Sequence, residues 1–233
     1  MTKNDLIKQL SLRQIECSEK QADELENFMH YVLSWNEKIN LTAIKDESDF
    51  MEKMIFDSAL ALTDLDLSNK KVIDVGTGAG FPGVVLYTLS PSVDLTLLDS
   101  TDKKIKLLNE YAIKNNLKYK TITSRAEIYA KNNREKYDYV FARAVSSLDI
   151  LLEICIPLLK INGTFIALKG PGLESELNNC KNAFKKLNCH VQKIISDVLP
   201  ESGETRNIIY ISKDEKTNLK YPRDYKDIKG KPL

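Results

Sequence analysis

The chain has 233 residues, with 34 Lys and Arg against 33 Asp and Glu, for a formal net charge of +1. Nine Gly and seven Pro fall far short of the roughly 25–30% that marks low-complexity chains, which excludes a disordered or collagen-like protein. A domain of this size buries about 70% of its unfolded surface and needs neither disulfides nor metals, while the neutral balance leaves a nucleic-acid partner open, since a basic face can be offset elsewhere.

Residues 1–66 read as an N-terminal helical extension packed on the core. Leu25, Phe28, Met29, Val32, Leu33 and Trp35 recur mostly at helical spacing after a cap-like Ser18. Asn40-Leu41-Thr42 ends that helix. Asp49 opens another, carrying Phe50, Met54, Ile55, Ala59 and Leu62. The opening MTKNDLIKQLSLRQIEC lacks the apolar run of a signal peptide. No later run approaches the ~20 residues that span a bilayer. A soluble, cytoplasmic protein is expected.

From Lys71 strands and helices alternate. Strands are expected at 72–75, 95–99, 120–123, 137–141, 164–168, 191–198 and 207–211. Helices are expected up to Leu89 and over 101–116, 126–131, 148–159 and 173–187. This pattern predicts a doubly wound α/β sheet. Only Leu199–Arg206 separates the last two strands, so they form an antiparallel hairpin at one edge. Seven strands ending in such a hairpin resemble class I methyltransferases. The tail from Lys213 carries seven basic and four acidic residues, and reads as solvated, RNA-contacting or clasped on the core.

Cys17, Cys155, Cys180 and Cys189 form no C-x-x-C pair, and only His30 and His190 accompany them. Metal-ligand spacings are missing, so no metal is expected. Four scattered thiols suit a reducing compartment.

The segment Gly76-Thr77-Gly78-Ala79-Gly80-Phe81-Pro82-Gly83 follows the first strand. It matches a dinucleotide fingerprint at Gly78, Gly80 and Gly83, which alone is weak evidence. Read from Asp74 through Gly76, Gly78 and Gly80, it matches the loop of S-adenosylmethionine binders. An acid beside the loop opposes a pyrophosphate but favours a ligand carrying sulfonium and ammonium charge. Glycines let a ligand approach the backbone, and Pro82 suits a first helical turn. Asp99 ends the second strand, where its two oxygens can accept from ribose hydroxyls. Ala126-Glu127 falls at the adenine edge in this fold. Arg143 follows the fourth strand, either in the ligand crevice or in a salt bridge across the sheet edge. Residues 67–233 are therefore expected to form an S-adenosylmethionine-dependent methyltransferase domain with a basic tail.

These segments resemble the RsmG family, also called glucose-inhibited division protein B. The matching pieces are Asn40-Leu41-Thr42, Asp57-Ser58, the glycine loop from Asp74 to Gly83, and Leu98-Asp99-Ser100 with Lys103-Lys104. Arg125-Ala126-Glu127, Arg143-Ala144-Val145, Leu168-Lys169-Gly170 and Arg206-Asn207 follow. Tyr221-Pro222-Arg223 and Gly230-Lys231-Pro232-Leu233 close the chain. Phe81 stands where the family often has Leu, and Met54-Ile55 where a His is common. The resemblance implies methyl transfer from S-adenosylmethionine to N7 of a guanine (position 527, 530 loop) in 16S rRNA of the small ribosomal subunit. It implies cofactor contacts from Gly76, Phe81, Asp99, Ser100, Thr101, Ala126, Glu127 and Arg143, beside Asp74, Gly78 and Gly80 of the loop. Arg125, Lys169, Arg206 and Arg223 are the expected RNA contacts, and the protein is expected to be a monomer. No catalytic side chain is expected, because guanine N7 carries a lone pair and no proton. The alternatives are a small-molecule methyltransferase, an NAD-dependent oxidoreductase, which Asp74 and the hairpin disfavour, and a non-catalytic RNA-binding module.

Overall fold

The computed structural model describes residues 1–36 and 38–233. Helices α1 (Lys3–Ser11) and α2 (Glu19–Asn36) come first. Thr2 caps α1 and receives Asp5 in return, so two orphan amides are satisfied at once. A continuous helical run follows. It comprises α3 (Glu47–Phe50), a π-helical turn at Met51–Phe56, α4 (Asp57–Ala59) and a 3-10 turn at Leu60–Leu62. The cap is Asp46 rather than Asp49: Asp46 Oδ1 accepts the Asp49 amide at 3.0 Å. Asp49 sits inside the first turn, where its charge suits the helix dipole.

The sheet begins with β1 (Lys71–Val75), α5 (Gly83–Leu89), β2 (Asp94–Asp99), α6 (Asp102–Asn115) and β3 (Lys120–Thr123). It continues through α7 (Ala126–Asn132), β4 (Tyr137–Arg143), α8 (Leu148–Cys155) and β5 (Leu159–Lys169). Next come α9 (Leu173–Asn179), α10 (Lys181–Leu187), β6 (Cys189–Val198), β7 (Thr205–Lys213) and α11 (Tyr225–Gly230). The strand order is β3-β2-β1-β4-β5-β7-β6. Only β7 runs antiparallel, to both β5 and β6. The strand order reverses between the parallel neighbours β1 and β4, and the crevice beyond their C-terminal ends is where open α/β sheets take ligands.

Strand alternation sends side chains to two apolar layers. Phe141 of β4 joins a layer with Leu25, Phe28, Phe50, Phe56 and Leu97. Its neighbours Val140 and Ala142 join the opposite layer, with Leu151, Phe165 and Ile209. The N-terminal helices thus share one apolar cluster with the sheet.

Several element boundaries differ from the sequence reading: α2 ends at Asn36, before Asn40-Leu41-Thr42, and β5 starts at Leu159 rather than 164. The helix expected to reach Leu159 stops at Cys155, because Pro157 removes a backbone donor and tightens Ile156–Leu158 into a 3-10 turn. The helix expected over 173–187 breaks at Cys180 into α9 and α10. The hairpin strands extend beyond their apolar runs, because antiparallel pairing continues from Cys189↔Lys213 to Val198↔Thr205. The tail is clasped rather than solvated. Tyr221 and Ile228 are buried in the second layer. Arg134 donates to the carbonyls of Tyr221 and Thr217. Among the described residues no helix is long and apolar enough to cross a membrane.

Candidate active site

A cavity of about 500 Å³ opens at the crevice, lined by the β1–α5 loop and the residues that follow β2, β3 and β4. The loop is fixed on both sides. The amides of Gly76 and Thr77 donate to Leu98 O at 2.8 and 3.0 Å. Gly76 has φ +73°, and a Cβ there would come within 2.5 Å of Val145 Cγ2. Both the backbone angle and the close approach require glycine. Val145 takes its place because Ala144 itself adopts φ +53°, an uncommon conformation with a cost of order 1–3 kcal/mol. The Arg143-Ala144-Val145 element therefore bends sharply over the loop.

Phe81 anchors the far end of the loop. Its ring packs against Phe28 at 5.3 Å and Phe50 at 5.5 Å. Such pairs add about 0.5–1.5 kcal/mol beyond area burial. The Arg143 guanidinium lies over the same ring at 5.7 Å. Phe81 thus links α2 and α3 to the cavity wall.

Asp74 and Gly80 do not line the cavity. Asp74 is fully buried, on the face of β1 that meets α5, and its Oδ2 accepts the Gly83 amide at 2.8 Å. It holds the turn from behind. Gly80 packs against Phe28, Val84 and Leu108. Burial pushes the Asp74 carboxyl up to about 6, against the bond from Gly83. A carboxyl raised in the folded state favours the protonated form, so its contribution to stability is complete below pH 3.8 and is lost as pH rises through about 6. The thermal midpoint should fall over that window in the wild type, and Asp74→Asn should flatten the slope. An unchanged slope in the variant would assign it to another group.

Asp99 does face the cavity. Its Oδ2 accepts the Gly78 amide at 3.0 Å and its Oδ1 accepts the Thr101 amide at 2.8 Å. Each oxygen keeps a further lone pair for a ligand. Ser100, Thr101, Ala126 and Glu127 line the same wall. Arg125, expected on RNA, lies on this wall too. Its Nε pairs with Glu127 Oε1 at 2.5 Å and its guanidinium covers the Tyr225 ring at 4.4 Å. The Thr77 side chain lies on the wall and its hydroxyl lowers the carboxyl of Asp74 behind it. An acceptor pair on Asp99 and glycine backbone at the surface fit a polar, hydroxyl-bearing ligand such as S-adenosylmethionine. Replacing Asp99 with Ala should weaken its binding by roughly 1–3 kcal/mol. Unchanged affinity by calorimetry would show the ribose assignment to be wrong.

A second cavity of about 410 Å³ adjoins the first and shares Met54, Arg143 and Ala144 with it. Asp57 Oδ2 sits between two guanidiniums, 3.2 Å from Arg143 and 3.2 Å from Arg206. Arg143 also donates to the Lys53 carbonyl at 3.0 Å and contacts Met54 Sδ. Burial pushes the Asp57 carboxyl up, and the two guanidiniums pull it back down. Burial also holds Arg143 below the ordinary guanidinium range, against Asp57 and Asp74. Arg206 is further paired with Glu204 at 2.8 Å, and Lys53 with Glu204 at 3.3 Å. Lys169 donates to Ser146 O and Glu176, both at 2.8 Å, and lines this cavity. The two alternatives for Arg143 therefore hold together, since it is an ion pair and a shared wall of two cavities.

Arg223 is not on either cavity. Its side chain binds the fully buried Glu153 through Nε at 2.8 Å and Nη2 at 2.6 Å, and it donates to Lys231 O. This pairing compensates the buried carboxylate. Sequence reasoning also missed Glu52. This buried side chain accepts the amides of Glu201 and Ser202 and so ties the β6–β7 hairpin to the π-helical turn. Tyr225, in the tail, lines the first cavity. No local periodicity signals either role.

A family model described as rRNA small subunit methyltransferase G, GidB, matches residues 21–208. The chain is 43% identical over 213 residues to ribosomal RNA small subunit methyltransferase G of Alkaliphilus oremlandii, covering 90% of this chain and 89% of the relative. It is 41% identical over 218 residues to the protein of the same name from Clostridium perfringens, covering 91% of each. The fold is similar to that of a ribosomal protein L11 methylase from Lactobacillus delbrueckii subsp. bulgaricus. There the TM-score is 0.53 at 18% identity, over 70% of this chain and 79% of the other. The seven-stranded sheet, its terminal hairpin and these matches agree, and the chain belongs to the rRNA small subunit methyltransferase G family.

Proposed function

We propose that this protein transfers a methyl group from S-adenosylmethionine to N7 of a guanine in 16S rRNA. The observation that carries this reading is the pair of adjoining cavities. In this reading the first takes the cofactor, and the second, lined by Asp57, Lys169 and Arg206, takes the acceptor.

Bound S-adenosylmethionine supplies an electrophilic methyl group on a sulfonium. The chain's task is to place it. Asp99 would accept from the ribose hydroxyls, Glu127 would hold the adenine edge, and the Gly76–Gly78 backbone would let the ligand sit close to the sheet. Guanine N7 presents a lone pair on the major-groove edge and holds no proton. No side chain therefore has to remove one, and no activated nucleophile is required. Orientation of the two reactants across the shared Arg143 wall supplies up to roughly 7–11 kcal/mol of the acceleration in favourable cases.

The reaction moves one positive charge from the first cavity to the second. Asp57 and Glu204 line the second cavity, where they are the counter-charges of Arg143, Arg206 and Lys53. Lys169 and Arg206 are the RNA-contacting cations in this reading, supported by Lys53, and phosphate contacts supply most of the affinity. Arg125 serves the cofactor side.

The test uses radiolabelled S-adenosylmethionine, purified protein and small-subunit particles from cells lacking this activity. Borohydride–aniline cleavage then locates any N7-methylguanine. A single cleavage in the 530 loop is expected. Transfer to another atom or site would overturn the acceptor, and cofactor binding without transfer to any RNA would favour a small-molecule substrate.

A further inference from the structure

The C-terminal segment does more than close the fold. Tyr225 opens α11, and its ring lines the first cavity. It arrives there from the opposite end of the chain to the glycine loop. Three anchors set its position. Arg223 is held by buried Glu153 of α8. Arg134 donates to the carbonyls of Thr217 and Tyr221. Ile228 is fully buried against the sheet's second layer. Between these anchors, Tyr225 is only partly buried, and the Arg125 guanidinium lies 4.4 Å from its ring centroid. Arg125 is in turn fixed by Glu127 at 2.5 Å.

An aromatic ring, a planar cation and a carboxylate therefore meet at one end of the cavity. Aromatic and guanidinium planes both stack on a heteroaromatic base. The Glu127 carboxylate, 5% exposed, accepts from an exocyclic amine at the rim of such a base. Neither a ribose nor an amino-acid moiety requires a stacking surface.

We infer that Tyr225 is a cofactor-binding residue, which forms with Arg125 the stacking wall for the adenine ring, so that docking of the C-terminal tail sets cofactor affinity. This inference rests on the cofactor reading above. It gives the basic tail a role inside the cofactor site rather than only on RNA. It also explains why the tail is tied down on both sides of Tyr225 by burial and by ion pairs.

The experiment measures binding of S-adenosylhomocysteine and of adenosine by calorimetry, with thermal midpoints recorded in parallel. Tyr225→Ala should weaken both ligands by the same factor, roughly 5- to 100-fold, the range for losing one base–aromatic stack. Tyr225→Phe should hold affinity within about twofold, because the ring is retained. Equal affinities in wild type and Tyr225→Ala would overturn the inference. So would a loss confined to S-adenosylhomocysteine, since that would place Tyr225 at the amino-acid end. A fall in thermal midpoint shared by the Phe and Ala variants, with affinities lost in both, would reduce Tyr225 to a structural role. Wild-type protein that takes up neither ligand would overturn the cofactor reading itself, a failure separate from that of Tyr225.

Discussion

Replacing Asp57 with Ala should cost about 3–5 kcal/mol of stability, the range for removing one partner of a buried ion cluster. Asp57 is 7% exposed and is the shared counter-charge of Arg143 and Arg206. Without it, Arg143 keeps the Lys53 carbonyl, Met54 Sδ and the Phe81 ring, none of which carries a charge. Arg206 keeps Glu204, so the larger part of the loss falls on Arg143. Urea unfolding reads the stability and methyl transfer reads the function. Activity should fall below detection, because Arg143 walls both cavities and is freed to turn toward solvent. Asp57→Asn keeps an acceptor oxygen without the charge, so it should retain more stability than Asp57→Ala. It should nonetheless lose methyl transfer, since the counter-charge is gone. Loss of less than about 1 kcal/mol in Asp57→Ala would show that the guanidiniums are already solvated, as surface pairs are.

Arg223→Ala should destabilise the protein by about 3 kcal/mol, the lower end of the same range. The lower end applies because the Arg223 side chain is 26% exposed while Glu153 is fully buried. Truncation leaves the Glu153 carboxylate with one backbone amide, that of residue 223 itself. The second substitution Glu153→Gln removes the stranded charge and should restore most of the loss. A double-mutant cycle in urea isolates that pairwise term. Additive effects of the two substitutions would show that the pair is not coupled. The same variant loosens the segment that carries Tyr225, so cofactor affinity should fall alongside stability.

The architecture was legible because it depends on local pattern. Val72-Ile73-Asp74-Val75 is a short, mostly apolar run, as strands of a parallel sheet buried on both faces require. The loop after it carries glycines where a ligand and a neighbouring backbone approach closely. The second strand ends on an acid, and the final strands lie too near each other for a crossover. Each of these features is local in the chain, so the sequence alone determined the sheet and its terminal hairpin.

Tertiary structure decided what each charge does. Asp74 looked like a ligand contact, yet it points to α5 and accepts from Gly83. Arg223 looked free for RNA, yet it neutralises Glu153, 70 residues away in sequence. Arg143 meets Asp57 across 86 residues, and Tyr210, Glu52 and Tyr225 find partners from equally distant segments. Periodicity and turn chemistry report which face of an element is buried. They carry no information on which oppositely charged group another element brings to that face. Ion pairing is a long-range consequence of packing, which is why only the tertiary structure decided it.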